Sequence, residues 1–445
     1  MDSSVVTQSV DVAAAIDSGH WSAYQKLTLA LIASAFAVDG LANQALGLAI
    51  PALIAEWHVT RAAFASIAGA GLIGVTIGAA AGGMIGDRIG RRFGLIASVL
   101  LFGLMTLVAA GASTTGQLLI VRFIGGIAIG AALPNGAALI AESTPLRQRS
   151  LAIAIGMMFI AVGGLLASVL GAVVLPRFGW RTYFIVSGGL SLALGILFVA
   201  SLPESPLFLV RQPQRRAALL TLLRRIKIDL PSDSILIERS ISSDRPPLAL
   251  LLQSDMRRNT LALWMGFFFC LLASYTMFSW APTMLASQGF NVSQSSIGMS
   301  AFSLGGVCGG LLGGWLITVV GSRHSVLALA AGAALGALVL GGLARGMAAP
   351  FPLLLVALLC EGVFIAGLTN GVYTLAAFIY PPYAKATGVG AAAAVGRIGA
   401  VVSSYTGVLA LQLGGASSYF LVIALAALLS FVGIAAIRSH VPRNA

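Results

Sequence analysis

Charge is what this chain most lacks. Only 9% of its residues are Asp, Glu, Lys or Arg, against 58% hydrophobic, where soluble domains carry about 25% charged residues. Mean hydropathy is +0.97, which excludes a soluble globular protein and points to a polytopic membrane protein. Cysteine is nearly missing. Cys270, Cys308 and Cys360 stand far apart within apolar runs, leaving neither metal-ligand spacing nor a disulfide framework, and they suit small packing groups. The four histidines, His20, His58, His324 and His440, all fall in loops or tails, so proton handling inside the membrane must rest on carboxylates. No His-x-x-x-His pair, ligand cluster or nucleophile motif supports an enzyme, a metal or a cofactor. Residues 1–24 contain Asp2, Asp11 and Asp17 and no basic start before an apolar core, so no cleavable signal peptide is expected.

What is abundant is long apolar sequence. Twelve runs, near 27–54, 63–85, 93–112, 116–140, 150–174, 181–201, 260–285, 295–319, 325–345, 351–378, 387–411 and 417–437, are long enough to cross a hydrocarbon core of roughly 30 Å. Acids are outnumbered 14 to 26 by Lys and Arg, a formal net charge of +12. With both termini cytoplasmic, 20 of those 26 fall in cytoplasmic segments and only Arg61, Arg177, Arg181 and Arg345 outside. That imbalance obeys the positive-inside rule. The basicity is therefore an orientation signal, not a nucleic-acid footprint. It predicts a cytoplasmic tail (1–24), a six-helix bundle (25–202), a basic cytoplasmic loop (203–258), a second six-helix bundle (259–437) and a short cytoplasmic tail (438–445). In the loop, Ala217, Leu220, Leu223 and the cluster Arg224-Arg-Ile-Lys227 suggest an amphipathic helix lying on anionic lipid.

A few polar groups interrupt the apolar runs, and each is expensive there. Asp39 lies near the middle of the first span, with Asn43 one turn on along the same face and Gln44 beside it. It is either a titratable group in a transport path or a buried carboxylate fastening two helices. Arg122 in the fourth span is followed at i+4 and i+8 by Gly126 and Gly130, which clear a face for a neighbour. Glu361 in the tenth span reads as a second proton site or a structural partner. Arg397 in the eleventh is a natural clamp for a carboxylate through two parallel hydrogen bonds, and Gly396 and Gly399 would leave room beside it for a planar ligand. Asn370, an amide in an apolar helix, needs a partner. Tyr275, Trp280, Tyr373 and Tyr405 are candidate cavity aromatics, together with Phe278.

Between the second and third spans runs Gly83-Met-Ile-Gly-Asp-Arg-Ile-Gly-Arg-Arg92. Here the chain resembles the major facilitator superfamily, whose loop signature Gly-x-x-x-Asp-Arg-x-Gly-Arg-Arg is complete. Pro203-Glu-Ser-Pro206 resembles another signature of that family. Arg122-x-x-x-Gly-x-x-x-Gly resembles its motif for proton coupling, and the lack of proline in the fifth span (153–175) leans away from its antiporters. The second half repeats the first more faintly: Gly314-Trp-Leu-Ile-Thr-Val-Val-Gly-Ser-Arg323 stands where the loop motif should recur, with Thr318 in place of the acid. Asp39-Gly, Leu133-Pro-Asn, Ser279-Trp-Ala-Pro and Val395-Gly-Arg-Ile-Gly-Ala narrow the resemblance to the aromatic acid:proton symporters. Asp39 then matches the first acid of that family's Asp-Gly-x-Asp, while Ala42 replaces the second.

The resemblance implies an all-α membrane protein of twelve transmembrane helices in two pseudo-symmetric six-helix bundles, the major facilitator fold, functional as a monomer in a bacterial inner membrane. It implies a symporter importing a small aromatic carboxylate with protons, or another organic anion such as a nicotinate-like or aliphatic acid. Two similar halves with charges at unrelated depths favour alternating access over a channel. Proton coupling is expected of Asp39, Arg122 and Glu361. Substrate contact is expected of Arg397, Asn43, Asn370, Tyr275, Trp280, Tyr373 and Tyr405. Gating is expected of Asp87, Arg88, Arg91 and Arg92, with a second latch at Glu142 and Arg147.

Overall fold

A computed structural model describes residues 9–228, 235–237, 248–345, 350–381 and 384–443. Arg239 and Arg245 of the expected basic loop, and the first residues of the amino-terminal tail, lie outside the described residues. Among those described, ten helices are long and apolar enough to cross a membrane. Two of them are each a pair of spans joined end to end. Leu146–Ser201 turns at Gly179, which takes φ 77°, and Lys385–Ala435 turns at Gly414 and Gly415, the latter at φ 59°. Only glycine enters this left-handed region cheaply, so both corners are made without breaking the chain of helix. Twelve spans result, as the apolar runs predict.

We number them in chain order: first (Ala23–Trp57), second (Arg61–Ile89), third (Arg91–Ala110), fourth (Thr115–Ser143), fifth (146–178), sixth (180–201), seventh (Ser254–Ser287), eighth (Val292–Val320), ninth (Ser322–Arg345), tenth (Phe351–Ile379), eleventh (385–413) and twelfth (416–435). Glycine decides which spans touch. A Cβ on Gly74, Gly78 or Gly82 of the second span would fall within 2.4 Å of Phe123, Ile127 or Ala131 of the fourth, and one on Gly126 or Gly130 would strike the second. The eighth and tenth spans repeat this: Gly305 and Gly309 meet the backbones of Leu359 and Val363, and Gly362 meets Phe302. Likewise Gly40 and Gly163 lock the first span to the fifth, and Gly399 locks the eleventh to the seventh. The same pairings recur in each half, which is the internal symmetry the second half's sequence carries only faintly.

The halves meet at one end. Among the described residues, two hydrogen bonds join them: Ser303 Oγ donates to Gln44 Oε1 at 3.1 Å, and Ser293 Oγ to the Ala172 carbonyl at 3.4 Å. Gly47 rests on the Phe278–Ser279 backbone and Gly69 on the Tyr405 ring. All these residues lie toward the ends remote from the loop motif at 83–92. The halves therefore close at one face and part toward the other.

The basic loop differs from expectation. Its helix Arg216–Arg225 buries Leu219, Leu222 and Leu223 against Val12 and Ile16 of the amino-terminal tail and Leu209, with Ala217 exposed. The apolar face is covered by protein instead of lipid, because the short tail helix Val12–Asp17, capped by Asp11, lies across it. Residues Ser9–Asp11 also pair in parallel with Ile235–Ile237, and Arg149 binds Asp17.

The glycine contacts generate a direct expectation. Gly78→Ala places a methyl 2.0 Å from the Ile127 carbonyl oxygen, whereas a Cβ on Gly189 meets nothing within 4 Å. Overpacking costs about 1–3 kcal/mol or more, so G78A should lower the midpoint of unfolding in detergent while G189A leaves it unchanged. Equal midpoints for the two variants would refute backbone-limited packing.

Candidate functional site

The first span is started by a capping box, in which the Ser22 amide donates to Gln25 Oε1 at 2.8 Å. Its rotation is set at Gly40, which presses on the Ile160 backbone of the fifth span. The neighbouring Asp39 is only 9% exposed, and Asn43 Nδ2 donates to its Oδ1 at 3.1 Å. From the opposite half, Arg397 brings its charge to bear on Asp39, Tyr275 and Tyr373, and Tyr275 also feels Asp39 and Tyr373. Residues of the first, seventh, tenth and eleventh spans thus converge on one place between the halves. Arg397 is half-buried and makes no hydrogen bond or ion pair among the described residues. Its guanidinium is therefore a cation with no directly paired anion among the described residues.

The glycines beside Arg397 do not leave open space next to it, contrary to the expectation from sequence. Gly396 packs on Leu271 and Phe267, and Gly399 on the Phe268 backbone. Both serve the contact with the seventh span, so open space beside the guanidinium comes only from the parting of the halves. Tyr373 stands edge-on to Phe267 at 4.9 Å, and Tyr275 edge-on to Phe278 at 6.1 Å. These rings form aromatic walls beside the guanidinium.

Arg122 borders an adjoining cavity of about 60 Å³, lined mostly by the first half, including Ala42, Asn43 and Thr106, and closed by Tyr275 and Ser279 of the seventh span. Its guanidinium lies 5.0 Å from the centre of the Phe184 ring. The Nε and Nη2 atoms are buried without hydrogen-bond partners. Arg122 thus borders the same Asn43 that holds Asp39. Ala42, where the resemblance implies a second acid, lines this cavity too, so no carboxylate stands beside Arg122 at that position.

Other expected residues are placed elsewhere. Trp280 is fully buried, with its indole against Gly407 of the eleventh span, so it is a packing residue. Tyr405 crosses to Gly69 at the closed face, two turns beyond Arg397. Asn370 is exposed and donates to the Gly310 carbonyl of the eighth span at 3.4 Å. Glu361 is fully buried against Gly336 of the ninth span, with Tyr419 of the twelfth as its charged-group neighbour. Both its oxygens lack partners. It does not belong to the Asp39–Arg397 cluster, because its helix face points into the second bundle, away from the other half.

The loop motif forms one latch instead of two. Arg91 pairs with Asp87, sits 3.5 Å from Glu142 through Nε, and donates to the Gly83 carbonyl at 3.2 Å. The amide of Arg92 donates to Glu204 Oε1 at 3.0 Å, and Ser205 Oγ bonds Glu142. Arg88 and Arg147 are exposed and join none of these bonds. Glu142 and the Pro203–Pro206 segment therefore belong to the first latch, since the fourth span ends beside the start of the third.

Three residues were not singled out for these roles. Gln44 takes Ser303 from one half and donates to Ser168 Oγ at 2.6 Å in the other. Asn135 donates to the carbonyls of Gly82 and Ala131 at 3.0 and 2.8 Å, tying the second and fourth spans. Glu204 caps the third. The signal for Gln44 and Asn135 was an amide in an apolar helix, the same that marked Asn370.

Comparison with known proteins agrees with this fold. The family model for the Major Facilitator Superfamily matches residues 32–341 and 263–444. The chain is 31% identical to a 4-hydroxybenzoate transporter, PcaK, of Pseudomonas aeruginosa, over 92% of this chain and 91% of the relative. It is 32% identical to a gallate transporter of Pseudomonas putida, over 92% and 90%. Among solved structures, the xylose transporter XylE of E. coli superposes with a TM-score of 0.72 at 18% identity, covering 94% of this chain and 99% of that one. Twelve spans in two matching halves, a complete latch motif and the family match together make this multi-pass membrane protein a member of the major facilitator superfamily.

Proposed function

We propose that the protein imports a small aromatic carboxylate, of the benzoate or hydroxybenzoate type, together with protons, by alternating access across a bacterial inner membrane. The observation that carries the reading is Arg397, unpaired and electrostatically linked across the halves to Asp39. A carboxylate can take both N–H directions of the guanidinium fork, and the walls of Tyr275 and Tyr373 suit a planar ring. Aromatic-acid names among the relatives support the same class.

Coupling follows from competition. The substrate anion and ionised Asp39 draw on one guanidinium, and a second negative charge in a poorly hydrated site is costly. The site therefore holds the anion best when Asp39 carries a proton, so substrate and proton travel together. The closed face, sealed by Gln44–Ser303, is the outer gate in this reading. The open face, beside the Asp87–Arg91 latch, is the cytoplasmic one.

Asp39→Asn keeps volume and the Asn43 contact but cannot ionise. In proteoliposomes it should lose accumulation of labelled 4-hydroxybenzoate driven by an imposed pH gradient and keep binding; full accumulation would refute Asp39 as the coupling site. Arg397→Ala should bind the acid on the order of tenfold to a hundredfold more weakly, as for a hydrogen bond to a charged group. Arg397→Lys should also lose affinity, because the planar fork is gone. The amide analogue should bind wild type and R397A alike, and an unchanged preference for the acid in R397A would move the anchor elsewhere. Gln44→Leu removes the buried cross-half bond. It should raise labelling of a Ser279→Cys reporter by membrane-impermeant maleimide added from the periplasmic side, and unchanged labelling would contradict the gate.

A further inference from the structure

The two halves repeat the same turn between consecutive spans, but the acids of the first are missing from the second. In the first half Gly90, at φ 111°, ends the second span, and the segment after the sixth span folds over it to place Glu204 on the Arg92 amide. In the second half Gly321, at φ 90°, ends the eighth span, and the segment after the twelfth folds over it in the same way. There the Ser322 amide donates to the Val441 carbonyl at 3.1 Å, and the Val441 amide donates to Ser322 Oγ at 2.8 Å. The backbone scheme is kept and the acids are gone.

Thr318 stands where Asp87 does, and its hydroxyl only returns to the Trp315 carbonyl of its own helix at 2.7 Å. Ser322 replaces Arg91. The covering segment carries His440 and Arg443 in place of Glu204. The result is a cleft of about 700 Å³ lined by Val319, Val320, Gly321, Arg323, His324, His440, Val441, Pro442 and Arg443, none of them acidic. Among the described residues neither arginine makes an ion pair. Burial pushes the His440 imidazole below its ordinary value, and the charges of Arg323 and His324 push it the same way against the Ile437 carbonyl. Arg323 and His324 thus bear on His440, and with Arg443 they border an open space whose described lining offers no counter-charge.

An anion is the chemistry that relieves this, and the cleft's second wall says what kind. Val319 and Val320 are 37% and 44% exposed, and Trp315, one turn earlier, is 59% exposed, as an aromatic at a membrane–water boundary is. A fully hydrated inorganic ion gains nothing from that apolar side. We propose that this cleft binds the phosphate headgroup of an anionic phospholipid, with Arg323 and Arg443 on the phosphate and the acyl end along Val319, Val320 and Trp315.

The test uses the full-length protein in neutral detergent, with binding read by native mass spectrometry and by the shift in melting temperature. Phosphatidylglycerol should bind and stabilise, phosphatidylcholine much less, and inorganic phosphate alone should not substitute. At about fivefold per basic residue, the double variant Arg323→Ala/Arg443→Ala should bind phosphatidylglycerol roughly 25-fold more weakly. Arg323→Lys/Arg443→Lys keeps the charge and should retain the preference, which separates lost recognition from a damaged fold. Wild-type affinity in the alanine variant, equal binding of the two lipids, loss of preference in the lysine variant, or full replacement by inorganic phosphate would each overturn the assignment.

Discussion

Helices surrounded by acyl chains gain little from pressing apolar side chains together, because lipid is as apolar as leucine. Their association depends on how closely the backbones approach, and in this protein that is limited by Cβ atoms. The chain's 53 glycines are spent accordingly. Where Gly74, Gly78 and Gly82 face the fourth span, or Gly305 and Gly309 the tenth, backbone lies against backbone with no space for a methyl group. Each half is thereby a rigid body. The first span is pinned to the fifth and the eleventh to the seventh, so the faces turned toward the other half are fixed in rotation. Asp39, Tyr275 and Arg397 are aimed by glycines that never touch a ligand.

The rigidity also separates two kinds of charged site. Within a half, ionic groups such as Arg91, Asp87 and Glu142 satisfy one another near the aqueous end. Between the halves, Arg397 and Asp39 are held close enough to interact and are left without a direct ion pair. A fully paired arginine would have no reason to accept a substrate. The incomplete pairing is the feature on which the proposed substrate site rests.

The architecture was legible in the sequence because span length and apolar character are local properties. The Asp87–Arg91 pair of the latch was legible for a similar reason, since the two are near neighbours in the chain, whereas Glu142 was assigned to a second latch because its partner Arg91 lies in another span. Asp39, Asn43, Tyr275, Tyr373 and Arg397 stood out as polar or aromatic groups in apolar helices, and the structure brings them together. The direction in which a side chain points was not legible where a helix is apolar all round, because no solvent face sets the phase. Trp280, Tyr405 and Glu361 were sorted by residue type, and helix rotation then turned them into packing, the closed face and the second bundle. The cross-half role of Gln44 and the capping role of Glu204 escaped notice because each needs a partner more than 100 residues away. The glycines beside Arg397 were visible, but whether they make room for a ligand or for a helix is a tertiary fact.

The strand that Ser9–Asp11 forms with Ile235–Ile237 changes how the connection between the halves should be measured. On paper more than fifty residues separate the bundles. Ile235–Ile237 is bound to the first half through the tail, and Leu251 already sits in the core of the second. From Ile237 to Leu251 the chain counts 14 residues, which at full extension reach about 50 Å. The protein is thus two blocks on a short leash, and the amplitude of any rocking is bounded by that contour length as well as by the packing of the spans.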